Sequence, residues 1–153
     1  MCISFLIYNI IYELEIYIVN RLQSREMINA NDLLKILQKK FKNQKFGTNI
    51  YCLNNCSSTN DKALLLAKNN APDGTIVVAL KQTMGRGRFH RTWITNDGGL
   101  ALSIILRPTL ELEKSYRLVL LSASAIIFCL EQLNIKAKLK WPNDILIPEK
   151  KKL

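Results

Sequence analysis

QTMGRGRFHRTW, residues 82–93, sets two glycines and two arginines in alternation and closes on an aromatic. Gly85 and Gly87 let the backbone turn tightly and approach a ligand, while Arg86 and Arg88 carry guanidiniums that suit an anion. Gln82 contributes an amide that both donates and accepts. Arg91 adds a third cation, and Trp93 a flat face on which a base can stack. Taken alone, GRGR favours an arginine-glycine surface turn or a short RNA-binding tract over a ligand loop, since short motifs match by chance often. Trp93 alone is as readily a core tryptophan, Gln82 a strand-end hydrogen bonder, and Arg91 a brace for the loop.

Working outward, the turn Pro72-Asp73-Gly74 launches GTIVVAL, a β-branched run typical of a strand buried on both faces, which delivers the chain to Gln82. Upstream, residues 49–53 read as a short strand. Ser57, Ser58, Thr59 and Asn60 then form a helix N-cap before KALLLAK. Before that, Leu33, Leu34, Leu37 and Phe41 recur at helical spacing behind a cap at Asn31 or Asp32, and Gly47 stops the helix. Downstream, Gly98-Gly99 opens a second strand, LALSIILR, which Pro108 closes. Its two faces are Leu100, Leu102, Ile104 and Leu106 against Ala101, Ser103 and Ile105, as expected for a sheet covered on both sides.

Residues 111–133 form the longest helix candidate, with Glu111 and Glu113 in its first turn where the dipole favours anions. Its apolar run, Leu118 to Leu130, falls short of the roughly 20 residues that span a bilayer and reads as a buried core helix containing Cys129. From Ile135 alternation returns, with Ile135, Ala137 and Leu139 on one face and Lys136, Lys138 and Lys140 on the other. That pattern marks a half-buried strand. Trp141-Pro142 fixes its end and Asn143-Asp144 opens a turn.

Lysine and arginine exceed acids by 22 to 12 in 153 residues, a net +10 that suits phosphate-bearing ligands, nucleic acid or an acidic protein. A hydrophobic content of 48% supports one globular domain with a sizeable core. Cys2, Cys52, Cys56 and Cys129, with His90 as the single histidine, lack zinc-ligand spacing and read as thiols in a reducing cytoplasm. Residues 1–20 are apolar, but Asn9, Glu13 and Glu15 interrupt them and no basic start precedes them, so neither a spanning helix nor a signal peptide is expected.

GRGR, followed by two residues, Arg91, one residue and Trp93, resembles the biotin-binding loop of the biotin protein ligases, or biotin-[acetyl-CoA-carboxylase] ligases. SSTN at 57–60, GGLALSIILRP at 98–108 and KWPNDI at 140–145 match in the same order. The resemblance implies an α/β (α+β) fold, a mixed β-sheet flanked by helices, similar to the catalytic core of class II aminoacyl-tRNA synthetases. It implies biotin contacts at Ser58, Thr59, Asn60, Gln82, Gly85, Arg86, Gly87, Arg88 and Lys140, with a loop that orders over biotin and its adenylate. Lys140 and Arg88 would be catalytic, Lys140 meeting the biotin carboxylate and the phosphate. Arg88, Arg91, Trp93 and Asn143 would hold the nucleotide, and Asp144 would orient Lys140 or bind Mg²⁺. The implied activity is ATP-dependent adenylation of biotin and its transfer to a lysine of the biotin carboxyl carrier domain of acetyl-CoA carboxylase or a related carboxylase. It is cytoplasmic, compatible with a homodimer, and without nucleic acid or membrane.

Residues 1–26 lie outside the resemblance and read as an apolar, mis-started extension. Residues 27–153 correspond to the first two-thirds of the catalytic domain, so a truncated or frame-interrupted product is expected, with the strand of residues 135–147 unpaired at an edge. Counted from Met27, too few residues precede Ile50 for a multi-helix DNA reader. Three competing readings are an inactive remnant that only binds biotin, a small basic nucleic-acid-binding protein, and a lipoyl ligase, whose distinctive arginine-rich loop is not found.

Overall fold

A computed structural model describes residues 30–42, 47, 49–87, 92–93 and 99–148, which fall into two compact units divided between Arg107 and Pro108. Arg88, His90, Arg91 and residues 1–26 lie outside the described residues.

The first unit is built on a three-stranded mixed sheet in the order β1-β2-β5. Strand β1 (Ile50–Cys56) runs parallel to β2 (Ile76–Gln82), and β5 (Ala101–Ile104) lies antiparallel on the other side of β2. The β-branched run sits in the centre, as its composition requires: Ile76, Val77 and Val78 are fully buried, each contributing about 1.5–3 kcal/mol. Successive side chains face opposite ways. Val77 packs with Ala63, Ala71 and Ile105 beneath α2 (Thr59–Lys68), while Ile76 and Val78 face the other side. Helix α1 (Ala30–Phe41) lies against β1 and buries Leu33 and Leu37 completely.

Helix α1 starts at Ala30 and not behind a cap at Asn31 or Asp32. Its first amide is satisfied from a distance, the Ala30 N–H donating to Asn54 Oδ1 on β1 at 2.9 Å. Between α2 and β2 the turn closes at Gly74, in the left-handed region at φ 78°, whose N–H donates to Ile105 O. Arg107 finishes that corner, donating from Nη2 to Ala67 O in the last turn of α2 and to Ala71 O just beyond it, at 3.0 Å each. Strand β5 is shorter than LALSIILR and lies at an edge of the described sheet, with all four residues half-buried.

The second unit contains a 3₁₀ turn (Leu112–Lys114), α3 (Tyr116–Gln132) and a hairpin of β6 (Lys138–Lys140) and β7 (Asp144–Leu146). The single helix expected over 111–133 is therefore broken at Ser115, whose N–H donates to Leu112 O. Within this unit α3 is not a buried core helix. Ala123, Ala125 and Cys129 are buried while Tyr116, Val119 and Phe128 are exposed, because a helix apolar all round can pack only one of its sides here. By length and composition Leu112–Gln132 passes for a membrane span, with 17% of it buried. One such helix, identified by length and composition alone, does not by itself assign a membrane.

The strand expected to remain unpaired instead folds back on itself. Lys138 faces Leu146, Leu139 faces Ile145 and Lys140 faces Asp144 across the hairpin. The turn Trp141–Asn143 is short enough for local closure, which the alternation of residues 135–140 alone does not reveal.

Candidate functional site

Parallel pairing puts the ends of β1 and β2 side by side, Cys56 opposite Gln82, and the chain leaves β1 directly into the N-terminus of α2. In open α/β sheets this edge, beyond the carboxyl ends of parallel strands, is where ligands bind. Of the four cap candidates in SSTN, Ser58 is the N-cap, its Oγ accepting from Asp61 N–H at 3.4 Å. The ladder continues past the strands: Thr83 N–H donates to Cys56 O at 2.9 Å and Met84 N–H to Ser57 O at 2.8 Å. The root of the glycine-arginine loop is thus pinned to the SSTN segment.

The side chains then interlock. The Thr59 N–H donates to Gln82 Oε1 at 2.8 Å, and its hydroxyl lies 3.1 Å from the same oxygen. A backbone N–H can only donate, so the Gln82 atom it meets is the acceptor, and that fixes the amide orientation. Gln82 Nε2 turns toward Gly85, where a β-carbon would come within 3.0 Å of it. Ser103 Oγ on β5 lies 3.0 Å from Thr59 Oγ1. With its proton committed to Gln82, the Thr59 hydroxyl accepts from Ser103. Ser58 and Thr59 are both buried, at 3% and 4% exposure.

Beyond this cradle, β3 (Gly85–Arg86) pairs antiparallel with β4 (Thr92–Trp93), Gly85 opposite Trp93. A β-carbon on Gly85 would meet Trp93 O at 2.6 Å, so glycine is required for close approach, without any left-handed backbone. Trp93 is 62% exposed, which removes the core-tryptophan alternative and leaves its face open to a partner. Arg86, expected to aim at a ligand, places Nη2 2.8 Å from Asp61 Oδ2. With side chains 72% and 37% exposed, this pair stabilises by less than about 1 kcal/mol. Asn60 is exposed in the first turn of α2, and Gly87 is half-buried.

Ser58, Thr59, Asn60, Gln82, Gly85, Arg86, Gly87 and Trp93 therefore all belong to the first unit. Lys140, Asn143 and Asp144 belong to the second, where Lys140 and Asp144 face one another and Asn143 Nδ2 donates to Asp144 Oδ1 at 3.2 Å. Among the described residues no three acidic, histidine or cysteine side chains cluster as a metal site. Two residues of the cradle escaped the sequence reading. Ser103 had a signal, being the one polar residue in the run LALSIIL, whereas nothing local ties Asp61 to Arg86, 25 positions later.

Fold and cradle together define a mixed α/β unit that presents a helix N-terminus, an oriented amide and a glycine-rich loop to a small ligand. Residues 53–153 match the model of the Biotin/lipoate A/B protein ligase family. The chain is 52% identical over 97 residues to the bifunctional ligase/repressor BirA of Bacillus subtilis (strain 168), a match covering 62% of this chain and 30% of that protein. It is 33% identical over 93 residues to the biotin--[acetyl-CoA-carboxylase] ligase of Paracoccus denitrificans, covering 59% and 38%. Among solved structures it is similar to the biotin protein ligase from Aquifex aeolicus in complex with biotin and ATP, with 37% identity and a TM-score of 0.56 over 67% of this chain and 43% of that one. The chain belongs to the Biotin/lipoate A/B protein ligase family, and within it the matched region is similar to biotin protein ligases. The mixed α/β architecture is that of the class II synthetase-like ligase core expected from the sequence. The chain spans 30% and 38% of the lengths of the two curated relatives.

Proposed function

We propose that the chain binds biotin, joins it to ATP as biotinyl-5'-AMP, and transfers the biotinyl group to a lysine of a biotin carboxyl carrier domain of acetyl-CoA carboxylase or a related carboxylase. The observation that carries this reading is the convergence of Thr59, Gln82 and Gly85 at the N-terminus of α2. A cyclic urea presents adjacent N–H and C=O groups, and this corner offers both an acceptor hydroxyl and a donor amide.

Carboxylate is a poor electrophile, so amide formation at neutral pH needs activation. The biotin carboxylate attacks the α-phosphate of ATP in line and pyrophosphate leaves. Both reactants are anionic, and Arg88, Arg91 and Lys140 are the cations that would offset their repulsion. Mg²⁺ usually keeps several waters and binds through one or two carboxylates plus substrate phosphates, which suits Asp144 as a single contributing carboxylate. Trp93, exposed at the loop, stacks on adenine for about 1–3 kcal/mol. Asn143 adds a polar contact to the nucleotide. In the second step the neutral lysine amine attacks the acyl carbon of the mixed anhydride and AMP departs. A cytoplasmic location, where ATP and the carrier occur together, is part of the proposal.

The test incubates the full chain with biotin, α-labelled ATP and Mg²⁺, with and without a carrier domain. Labelled biotinyl-AMP followed by biotinylated carrier supports the reading. Biotin binding without adenylate contradicts the catalytic half and favours a binding-only chain. Lipoate replacing biotin points to lipoyl ligation. Steeply salt-dependent oligonucleotide binding with no response to biotin favours the nucleic-acid reading and overturns this one.

A further inference from the structure

We propose that Asp61 and Arg86 are a pair of positioning residues that hold the β3–β4 ribbon against the ligand cradle, Arg86 acting through Asp61 and not as a ligand contact. This rests on the biotin reading above. Directly opposed residues of an antiparallel pair put their side chains on one face, and successive residues alternate between faces. Gly85 stands opposite Trp93, and Arg86 opposite Thr92. A β-carbon at Gly85 would lie 3.0 Å from Gln82 Nε2 and 3.3 Å from Trp93 Cβ, so this is the face of the ribbon turned to the cradle. Arg86 leaves from the other face. There its Nη2 donates to Asp61 Oδ2 at 2.8 Å.

Little else among the described residues holds the ribbon. Arg86, Thr92 and Trp93 are all exposed, and two residue pairs join the strands. The root is tied by backbone, Thr83 N–H donating to Cys56 O and Met84 N–H to Ser57 O, both on the segment that leads into α2. Asp61, in the first turn of that helix, adds a tie between side chains one residue past Gly85. An exposed ion pair is too weak to decide whether a domain folds, but it is comparable with the free energy that opens a short ribbon. The pair therefore governs local opening. Through Gly85 and Trp93 it bears on how much of the time the cradle stands assembled for a ligand.

The experiment follows amide hydrogen exchange over residues 83–86 of the full chain, and its dissociation constant for biotin, in the unaltered protein, Asp61→Ala, Arg86→Ala and the double variant. Exchange there rises about two- to fivefold in either single variant, the worth of one exposed ion pair. The double variant goes no further, because the partners act as one. The Val77 and Val78 amides in the central strand keep their rates. Biotin affinity falls by the same factor in all three variants, and Asp61→Glu, which keeps the carboxylate, retains both the rate and the affinity. Should an alanine variant fail to fold by circular dichroism, Asp61→Asn and Arg86→Gln complete the same cycle. An Arg86 that contacts the ligand gives another pattern: Arg86→Ala weakens biotin with exchange unchanged, while Asp61→Ala leaves biotin as tight or tighter. That pattern overturns the proposal, as does exchange that neither substitution moves. If the unaltered chain binds no biotin, the biotin reading fails, and the exchange comparison still decides whether the pair holds the ribbon.

Discussion

Replacing Gly85 by alanine is the sharpest test of how the loop is held. The new β-carbon would lie 2.6 Å from the backbone oxygen of Trp93, 3.0 Å from Gln82 Nε2 and 3.3 Å from Trp93 Cβ. The first contact is with backbone on the paired strand, so it cannot be relieved by a side-chain rotation. Overpacking of this kind costs roughly 1–3 kcal/mol. Among the described residues two pairs join β3 to β4, Gly85 with Trp93 and Arg86 with Thr92, so the strain is relieved locally, by parting that ribbon. The cost then appears at the ligand site, as biotin affinity weakened by about 5- to 150-fold. The melting temperature moves by less than about 4 °C. Gly74→Ala provides the contrast. That glycine sits at φ 78° in the turn before β2, and a β-carbon there costs about 1–2 kcal/mol of backbone strain, lowering global stability with little effect on affinity. Calorimetric titration and thermal melts of both variants decide the matter. If Gly85→Ala binds biotin within twofold of the unaltered chain, or loses only melting temperature, the close-approach argument is wrong.

Three further outcomes follow from the same geometry. Thr59→Val keeps shape but removes the hydroxyl between Ser103 and Gln82, so urea denaturation registers a loss of about 1–3 kcal/mol and biotin affinity falls with it. Arg107→Ala removes the donor that ties the last turn of α2 at Ala67 O to the following turn at Ala71 O, lowering stability by about 1–3 kcal/mol in the same assay while adenylate formation persists. Burial pushes the Cys52 thiol up to about 11, so its thiolate is scarce at pH 8. Alkylation of Cys52, read by peptide mass spectrometry, therefore rises about tenfold per pH unit from 8 to 10. Cys56 is raised less decisively, burial being opposed by nearby Lys62, and reacts first.

What could be read in advance was local. The β-branched run at Ile76 to Ala79 announced the central strand, because only a strand buried on both faces tolerates such continuity. SSTN announced a cap, which Ser58 supplies, because capping is decided within one helical turn. The glycine-arginine string marked the loop, and its match with SSTN and KWPNDI pointed to the family. Sequence distance hid the rest. Asn54 caps α1 from 24 positions away, and Thr59 reaches Gln82 across 23, pairings that local periodicity cannot encode. Helix α3 misled for another reason: an apolar run is the same string whether its surroundings cover one side or all of it. The hairpin at Trp141–Asn143 escaped because alternation marks a strand without naming its neighbour.

The central claim is that Thr59, Gln82 and Gly85 form a biotin cradle. A calorimetric titration of biotin into the full chain, repeated with Gln82→Leu, tests it most directly. The account predicts one site per chain with affinity of about micromolar or tighter, reduced at least tenfold in the variant, since its donor is then missing. A folded chain that evolves no heat with biotin at about 1 mM, or one whose affinity is unchanged by Gln82→Leu, would contradict it.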